Sequence, residues 1–264
     1  MKKETVSQAG ELVTRVSPAV GEDEPSWPQH LLSPHRVDSK ILLTFLGLAI
    51  GLLGMFWLGS EVLEGDIFAL DKRILRGHRT ANDPGMPIGP SWLKSSAIDI
   101  TALGGVTVLT LVTVLVVGYL VANRKVHIAL FVAAAVASGA VVNSGLKAFF
   151  VRVRPEVVPH LVEVTSASFP SGHAMNSAMV YLTLAALAAR SQEHITVRLY
   201  LLGIAILLTI LVGTTRVYLG VHWPSDVIAG WCIGAIWAVL CSLIAKSLQR
   251  RQKIKSWGEQ RDIP

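Results

Sequence analysis

Charged side chains are scarce in this sequence, at 16% of residues against about 25% in soluble domains. A chain so poor in charge, with 52% hydrophobic residues and a mean hydropathy of +0.52, falls with integral membrane proteins. A soluble basic face is also lacking. The net charge of +6 gathers near the chain ends, between long apolar runs. That argues against nucleic-acid binding and suits anionic lipid head groups. Cysteine is nearly absent. Cys232 and Cys241 lie in one apolar run, about 13.5 Å apart along a helix, too far to bridge. They read as small apolar side chains. No apolar core follows a basic start within the first forty residues, so the first hydrophobic run is expected to remain as an anchor.

What the sequence has instead is apolar length. A polar N-terminal tail, 1–40, carries Pro18, Pro25, Pro28 and Pro34 and reads as flexible, touching the membrane through Trp27, Leu31 and Leu32. Six apolar runs follow, near 41–59, 100–122, 126–150, 173–189, 199–214 and 227–245, each about as long as a bilayer core demands. The expected fold is all-α: an integral membrane six-transmembrane-helix bundle over 41–246, followed by a basic C-terminal tail, 247–264. Lysine and arginine set its orientation. With the N-terminus inside, fifteen of the 24 Lys and Arg residues fall on the cytoplasmic side. Both termini are then cytoplasmic, and the third and fifth loops share the outer face. In the long first outer loop, 60–99, "IFALDKRILRG" spaces Ile67, Leu70 and Ile74 helically among Lys72, Arg73 and Arg76, which predicts a short interfacial helix. "NDPGMPIGPSWL" then breaks structure with prolines and glycines, and Trp92 suits the aromatic belt.

Three stretches carry polar groups that a membrane anchor does not need. "KAFFVRVRP" holds Lys147 and Arg154, with Pro155 stopping the helix. "PSGH" runs from Pro170 to His173, and "TRVYLGVHWPSD" supplies Arg216, His222 and Asp226. All three fall at the expected outer face. Lys147, Arg154 and Arg216 can surround a dianionic group, because guanidinium forks match phosphate oxygens two at a time. Ser171 offers a hydroxyl, and Gly172 lets its backbone N–H approach closely. His173 opens a helix whose free N–H groups favour an anion. His222 and Asp226, four apart, share one helix face. A carboxylate on one ring nitrogen fixes the tautomer and leaves the other free as a nucleophile. His173, from the opposite side, can protonate the leaving oxygen. Taken singly, Lys147 or Arg154 reads as a snorkelling anchor, His173 as a cap, and His222–Asp226 as a local pair. Together they compose a metal-free phosphoryl-transfer site.

The pattern Lys147-x6-Arg154-Pro155, then Pro170-Ser171-Gly172-His173, then Thr215-Arg216-x5-His222-x3-Asp226 resembles the type 2 phosphatidic acid phosphatase (PAP2) superfamily. One departure is Thr215, where the family usually has serine. The resemblance implies that His222 forms a phosphohistidine, Asp226 orients it, and His173 serves as general acid and then base. Lys147, Arg154, Ser171, Gly172 and Arg216 would hold the phosphate, with no metal and no cofactor. It further implies a bacterial inner-membrane enzyme acting at the outer face on a lipid phosphate, of the phosphatidate, phosphatidylglycerol phosphate, undecaprenyl diphosphate or lipid A type. The alternatives are a phospho-head-group transferase using the same phosphohistidine, and a silent lipid-binding or transport protein. A soluble haloperoxidase relative is incompatible with the apolar runs.

Overall fold

The structure, a computed structural model, describes residues 69–261 and six positions between 47 and 60, with side chains as far as residue 249. The tail 1–40, and most of the first apolar run, lie outside the described residues. The elements are α1 (Ala69–Gly77), a hairpin of β1 (Arg79–Thr80) and β2 (Asp83–Pro87), α2 (Ser91–Ala102), α3 (Val106–Ala122), α4 (Val126–Phe150), α5 (Gly172–Ser177), α6 (Thr183–Arg190), α7 (Ile195–Tyr218) and α8 (Pro224–Arg261). A π-helical turn, Ala178–Leu182, joins α5 to α6.

The helices follow from sustained apolar sequence, and their surfaces show what surrounds them. Leu111, Val114, Leu115 and Tyr119 on α3, Leu130 and Val141 on α4, and Leu199, Tyr200 and Leu207 on α7 are all exposed. Contiguous exposed apolar surface on this scale marks contact with lipid. The helices α4, α7 and Pro224–Gln249 of α8 are long and apolar enough to cross a membrane, and the bent pair α2–α3 adds a fourth if it crosses as one span. The described residues therefore carry three or four of the six expected spans. Most of the first run lies outside them, and the run at 173–189 is a helix in three pieces.

Three features depart from the sequence reading. The expected second span is not one helix: α2 and α3 meet at 47° across Leu103, Gly104 and Gly105. A Cβ at Gly104 would collide with Val212 Cγ1 and come within 3.1 Å of the His173 carbonyl. The break thus makes room for α7 and for the start of α5. Tyr181, in the π-helical turn, donates its hydroxyl to the Leu103 carbonyl at 2.6 Å, satisfying an acceptor freed by the break. Second, "DPGMP" forms strand β2, antiparallel to β1, so the fold is not wholly helical; Pro84 and Pro87 are tolerated because this two-stranded ribbon is all edge. Third, α1 exists, but the residues it buries are Asp71 and Leu75, whereas Leu70 is 65% exposed.

The bundle closes tightly where α8 crosses α5. Gly230 and Gly234 stand four apart on α8, the small-xxx-small spacing that lets membrane helices approach closely. A Cβ at Gly230 would lie 2.8 Å from the Ser171 carbonyl oxygen and 3.0 Å from the Met175 nitrogen. One at Gly234 would collide with Ala178 Cβ. Both neighbours at Gly230 are backbone and cannot rotate aside. Gly230→Ala is expected to destabilise the detergent-solubilised protein by about 1–3 kcal/mol, the usual cost of overpacking. Unfolding monitored by circular dichroism checks this, and native stability would contradict the close approach.

Candidate active site

Helix α4 ends where Val151 turns left-handed, with φ 43 and ψ 34. A β-branched residue adopts that conformation only when its surroundings impose it. Beyond it the chain alternates: Val151 and Val153 are exposed, Arg152 is buried and Arg154 half-buried. Extended backbone places residues two apart on one side, so both guanidiniums enter the bundle while both valines face outward. Opposite them, α7 ends with Gly220 at φ +77, the left-handed conformation in which glycine terminates helices without penalty. The chain reverses there, and Pro224 begins α8 at the position where a missing N–H costs nothing. His222 sits in this turn and Asp226 in the first turn of α8.

Asp226 is fully buried and bonded on every side. Its Oδ2 accepts from Ser168 Oγ at 2.5 Å and from the Trp223 backbone N–H at 2.9 Å, and it lies 3.3 Å from His222 Nδ1. Its Oδ1 accepts from Arg152 Nη1 at 2.7 Å. On the far side of the imidazole, Arg154 Nη1 lies 3.3 Å from His222 Nε2. Arginine only donates, so Nε2 presents a lone pair and the ring proton belongs on Nδ1, facing the carboxylate. That is the tautomer a nucleophile at Nε2 requires. Burial pushes the His222 imidazole down to about 4, against the opposing pull of Asp226, and Arg154 and Arg216 add to the fall. The ring is therefore neutral at ordinary pH.

These groups border a cavity of about 410 Å³ lined by Lys147, Arg154, Gly172, His173, Arg216 and His222, with Asn143 and Asn176 one helical turn from Lys147 and His173. The residues singled out in the sequence thus converge, from α4, the 151–155 segment, α5, α7 and the turn before α8. Lys147 Nζ donates to the Ala167 carbonyl at 2.6 Å. Arg154 is braced by the Ser166 carbonyl at 2.8 Å and the Val221 carbonyl at 2.6 Å. Arg216 Nη1 donates to Thr101 Oγ1 at 3.2 Å, which ties α7 to α2. Ser171 stands slightly apart. It is fully buried, its backbone N–H goes to the Asp226 carbonyl at 3.0 Å, and it is not among the residues lining the cavity. Ser171 Oγ, Asn143 Oδ1 and Arg216 Nε are buried without a protein partner. Thr215 spends its hydroxyl on the Val212 carbonyl of its own helix, at 2.7 Å. Among the described residues, no three His, Cys, Asp or Glu side chains gather as metal ligands.

Sequence reasoning missed Asp71, Asn143, Arg152 and Ser168. Arg152 was open to detection, since valine–arginine alternation places it on the same side as Arg154. Asn143 stands one turn before Lys147 on α4, so the same-face rule also reaches it. Asp71 and Ser168 owe their roles to contacts distant in sequence and left no local signal.

The arrangement has a pH consequence. The folded chain holds His222 near 4, while an unfolded histidine titrates near 6.5. Between those values the unfolded state binds the extra proton, so this residue's contribution to stability is present above about pH 6.5 and is lost as pH falls towards 4. NMR of histidine-labelled protein is expected to show the His222 ring titrating well below 6.5. A midpoint near 6.5 would contradict the buried neutral ring.

Comparison with known proteins identifies the family. The PAP2 superfamily model matches residues 128–250. Phosphatidylglycerophosphatase B of Bacillus subtilis is 34% identical over 164 residues, which are 61% of this chain and 80% of that protein. An undecaprenyl-diphosphatase of Sulfolobus acidocaldarius is 37% identical over 91 residues, 34% of this chain and 39% of that protein. The crystal structure of a transmembrane PAP2 type phosphatidylglycerolphosphate phosphatase from Bacillus subtilis matches with a TM-score of 0.67 and 27% identity, covering 76% of this chain and 96% of that one. An integral membrane protein that carries the three linked motifs around one cavity, this chain belongs to the PAP2 superfamily.

Proposed function

We propose that the protein is a membrane phosphatase that releases phosphate from a lipid phosphate or diphosphate through a phosphohistidine on His222. The observation that carries this reading is the placement of His222: the ring borders a cavity shared with Lys147, Arg154 and Arg216, its Nε2 lies 3.3 Å from Arg154 Nη1, and its Nδ1 faces Asp226 at 3.3 Å. The names of the relatives, a phosphatidylglycerophosphatase and an undecaprenyl-diphosphatase, support a lipid substrate class.

The steps follow from the side chains present. The three cations and the Gly172 N–H hold the phosphoryl oxygens and offset charge as it spreads in the transition state. The His222 Nε2 lone pair forms the N–P bond as the P–O bond to the lipid breaks. His173 gives its proton to the departing oxygen, yielding a lipid alcohol. A bound phosphate dianion balances the surrounding cations and lets His173 carry that proton beside them. In the second half, His173 takes a proton from water, the water oxygen bonds to phosphorus, and the N–P bond breaks. Phosphate leaves and His222 is restored. Asp226 holds the Nδ1 proton throughout and stabilises the cationic ring of the intermediate. The charge work falls to Lys147, Arg154 and Arg216, and the reaction needs no metal.

Lysine and arginine distribution supports cytoplasmic termini and a site at the outer face. It supports placing α1 at that interface, with Arg73 and Arg76 exposed toward lipid head groups.

Two measurements test the reading on purified full-length protein. A phosphate-release panel on phosphatidate, phosphatidylglycerol phosphate, undecaprenyl diphosphate and lipid A should give turnover that His222→Asn lowers by at least about 10³-fold; free phosphate as product distinguishes hydrolysis from transfer to another acceptor. EDTA should leave the native rate unchanged. Activity lost in EDTA and restored by added metal would refute the metal-free chemistry.

A further inference from the structure

Arg152 is buried among polar partners and stands apart from the cavity. Its Nη1 donates to Asp226 Oδ1 at 2.7 Å and to Ser225 Oγ at 2.8 Å. Its Nη2 lies 3.5 Å from Asp71 Oδ2, and its Cζ lies 5.7 Å from the Trp223 ring centroid. Asp71 accepts in turn from the Ser225 backbone N–H at 3.0 Å and from Ser225 Oγ at 2.5 Å. Helix α1, the 151–155 segment and the start of α8 are thereby tied at one point. Arg152 is not among the cavity-lining residues, so its charge has no direct use in holding phosphate. Its bond to Oδ1 instead complements the three donors gathered at Oδ2, namely Ser168, Trp223 N–H and His222. Those donors fix where Oδ2 lies; the bond at Oδ1 fixes the plane of the carboxylate.

We propose that Arg152 is a positioning residue: by holding Asp226 at Oδ1, it presents Oδ2 to His222 Nδ1 and so keeps Nε2 aimed into the cavity. The proposal rests on the phosphohistidine reading above. Because Arg152 acts through Asp226, its removal should slow the chemical step and leave phosphate binding intact. Planarity matters as well as charge. An ammonium can reach Oδ1 and Ser225, which Nη1 alone meets here, but it lacks the second arm that lies 3.5 Å from Asp71.

The test uses detergent-purified full-length R152K, R152Q and R152M, with folding checked by size-exclusion chromatography and circular dichroism. Turnover is measured on the lipid phosphate that the native protein hydrolyses fastest, and inorganic phosphate serves as the binding probe. R152Q and R152M should lose about 10- to 100-fold in kcat, the range seen when a second layer of contacts is removed. KM and inhibition by phosphate should stay within about twofold of native, since substrate binding is untouched. R152K should fall between these variants and the native protein. Native kcat in any folded variant, or a loss confined to KM and phosphate inhibition, would overturn the proposal. If R152M and R152Q do not fold, R152K decides alone: a loss in kcat at constant KM supports the role, and native kcat refutes it. His222→Asn separates the two readings. If it retains activity, the phosphohistidine reading fails and takes this one with it; if it is inactive while the Arg152 variants match the native enzyme, only the positioning role is lost.

Discussion

A carboxylate without solvent is the constraint on which the cavity end of this bundle depends. Asp226 is 0% exposed, and burying an ion costs several kcal/mol unless partners replace its water. Four groups do so: the Arg152 guanidinium, the Ser168 hydroxyl, the Trp223 N–H and the His222 ring. They come from the segment after α4, the loop before α5 and the turn before α8, so those pieces have to converge for the charge to be tolerated. The folding requirement and the alignment of His222 are met by the same bonds. This is a polar network in low dielectric, where complete satisfaction rigidifies and partial satisfaction is costly.

Two arginines separated by one valine divide the work at this corner. Arg152 faces the carboxylate and Arg154 faces the imidazole's other nitrogen, so the His222–Asp226 pair is held between two cations. The planar fork makes this possible, because each guanidinium engages several acceptors whose directions differ. Arg154 reaches the Ser166 and Val221 carbonyls as well as His222; Arg152 reaches Ser225 and Asp226. The backbone acceptors around Arg154 fix its position without neutralising it, which keeps its charge available to the cavity.

Much of the site was legible because its chemistry is written at short range. Lys147 stands in the last turn of an apolar helix, His222 and Asp226 stand four apart, and Pro224 marks a start. Pro155 does not mark the stop, because α4 ends at Phe150 and Arg154 follows in non-helical chain, and His222 precedes α8 instead of sharing its face. The helix at 126–150 was legible to the residue because uniform apolarity met a turn on each side. The break at Gly104 and Gly105 was not. It is imposed by Val212 and the His173 backbone, both distant in sequence, and an apolar run looks the same whether straight or bent. Asp71 went unread for a related reason. A charged residue on an amphipathic helix reads as facing water, and only the contact with Ser225 and Arg152 turns it inward. The hairpin was hidden by its prolines, which ordinarily argue against a strand.

The glycine contact between α8 and α5 has a consequence for how rigidly the two sides of the cavity are held. Side chains at a helix crossing can change rotamer and let one rod slide along the other. Here carbonyl and amide groups of Ser171 and Met175 lie directly against the bare Cα of Gly230, leaving nothing to rearrange. The offset between the Ser171–Gly172 turn and the His222 turn is therefore a fixed dimension of the main chain, and an axial slip of one residue, about 1.5 Å, would pull the two sides of the cavity out of register.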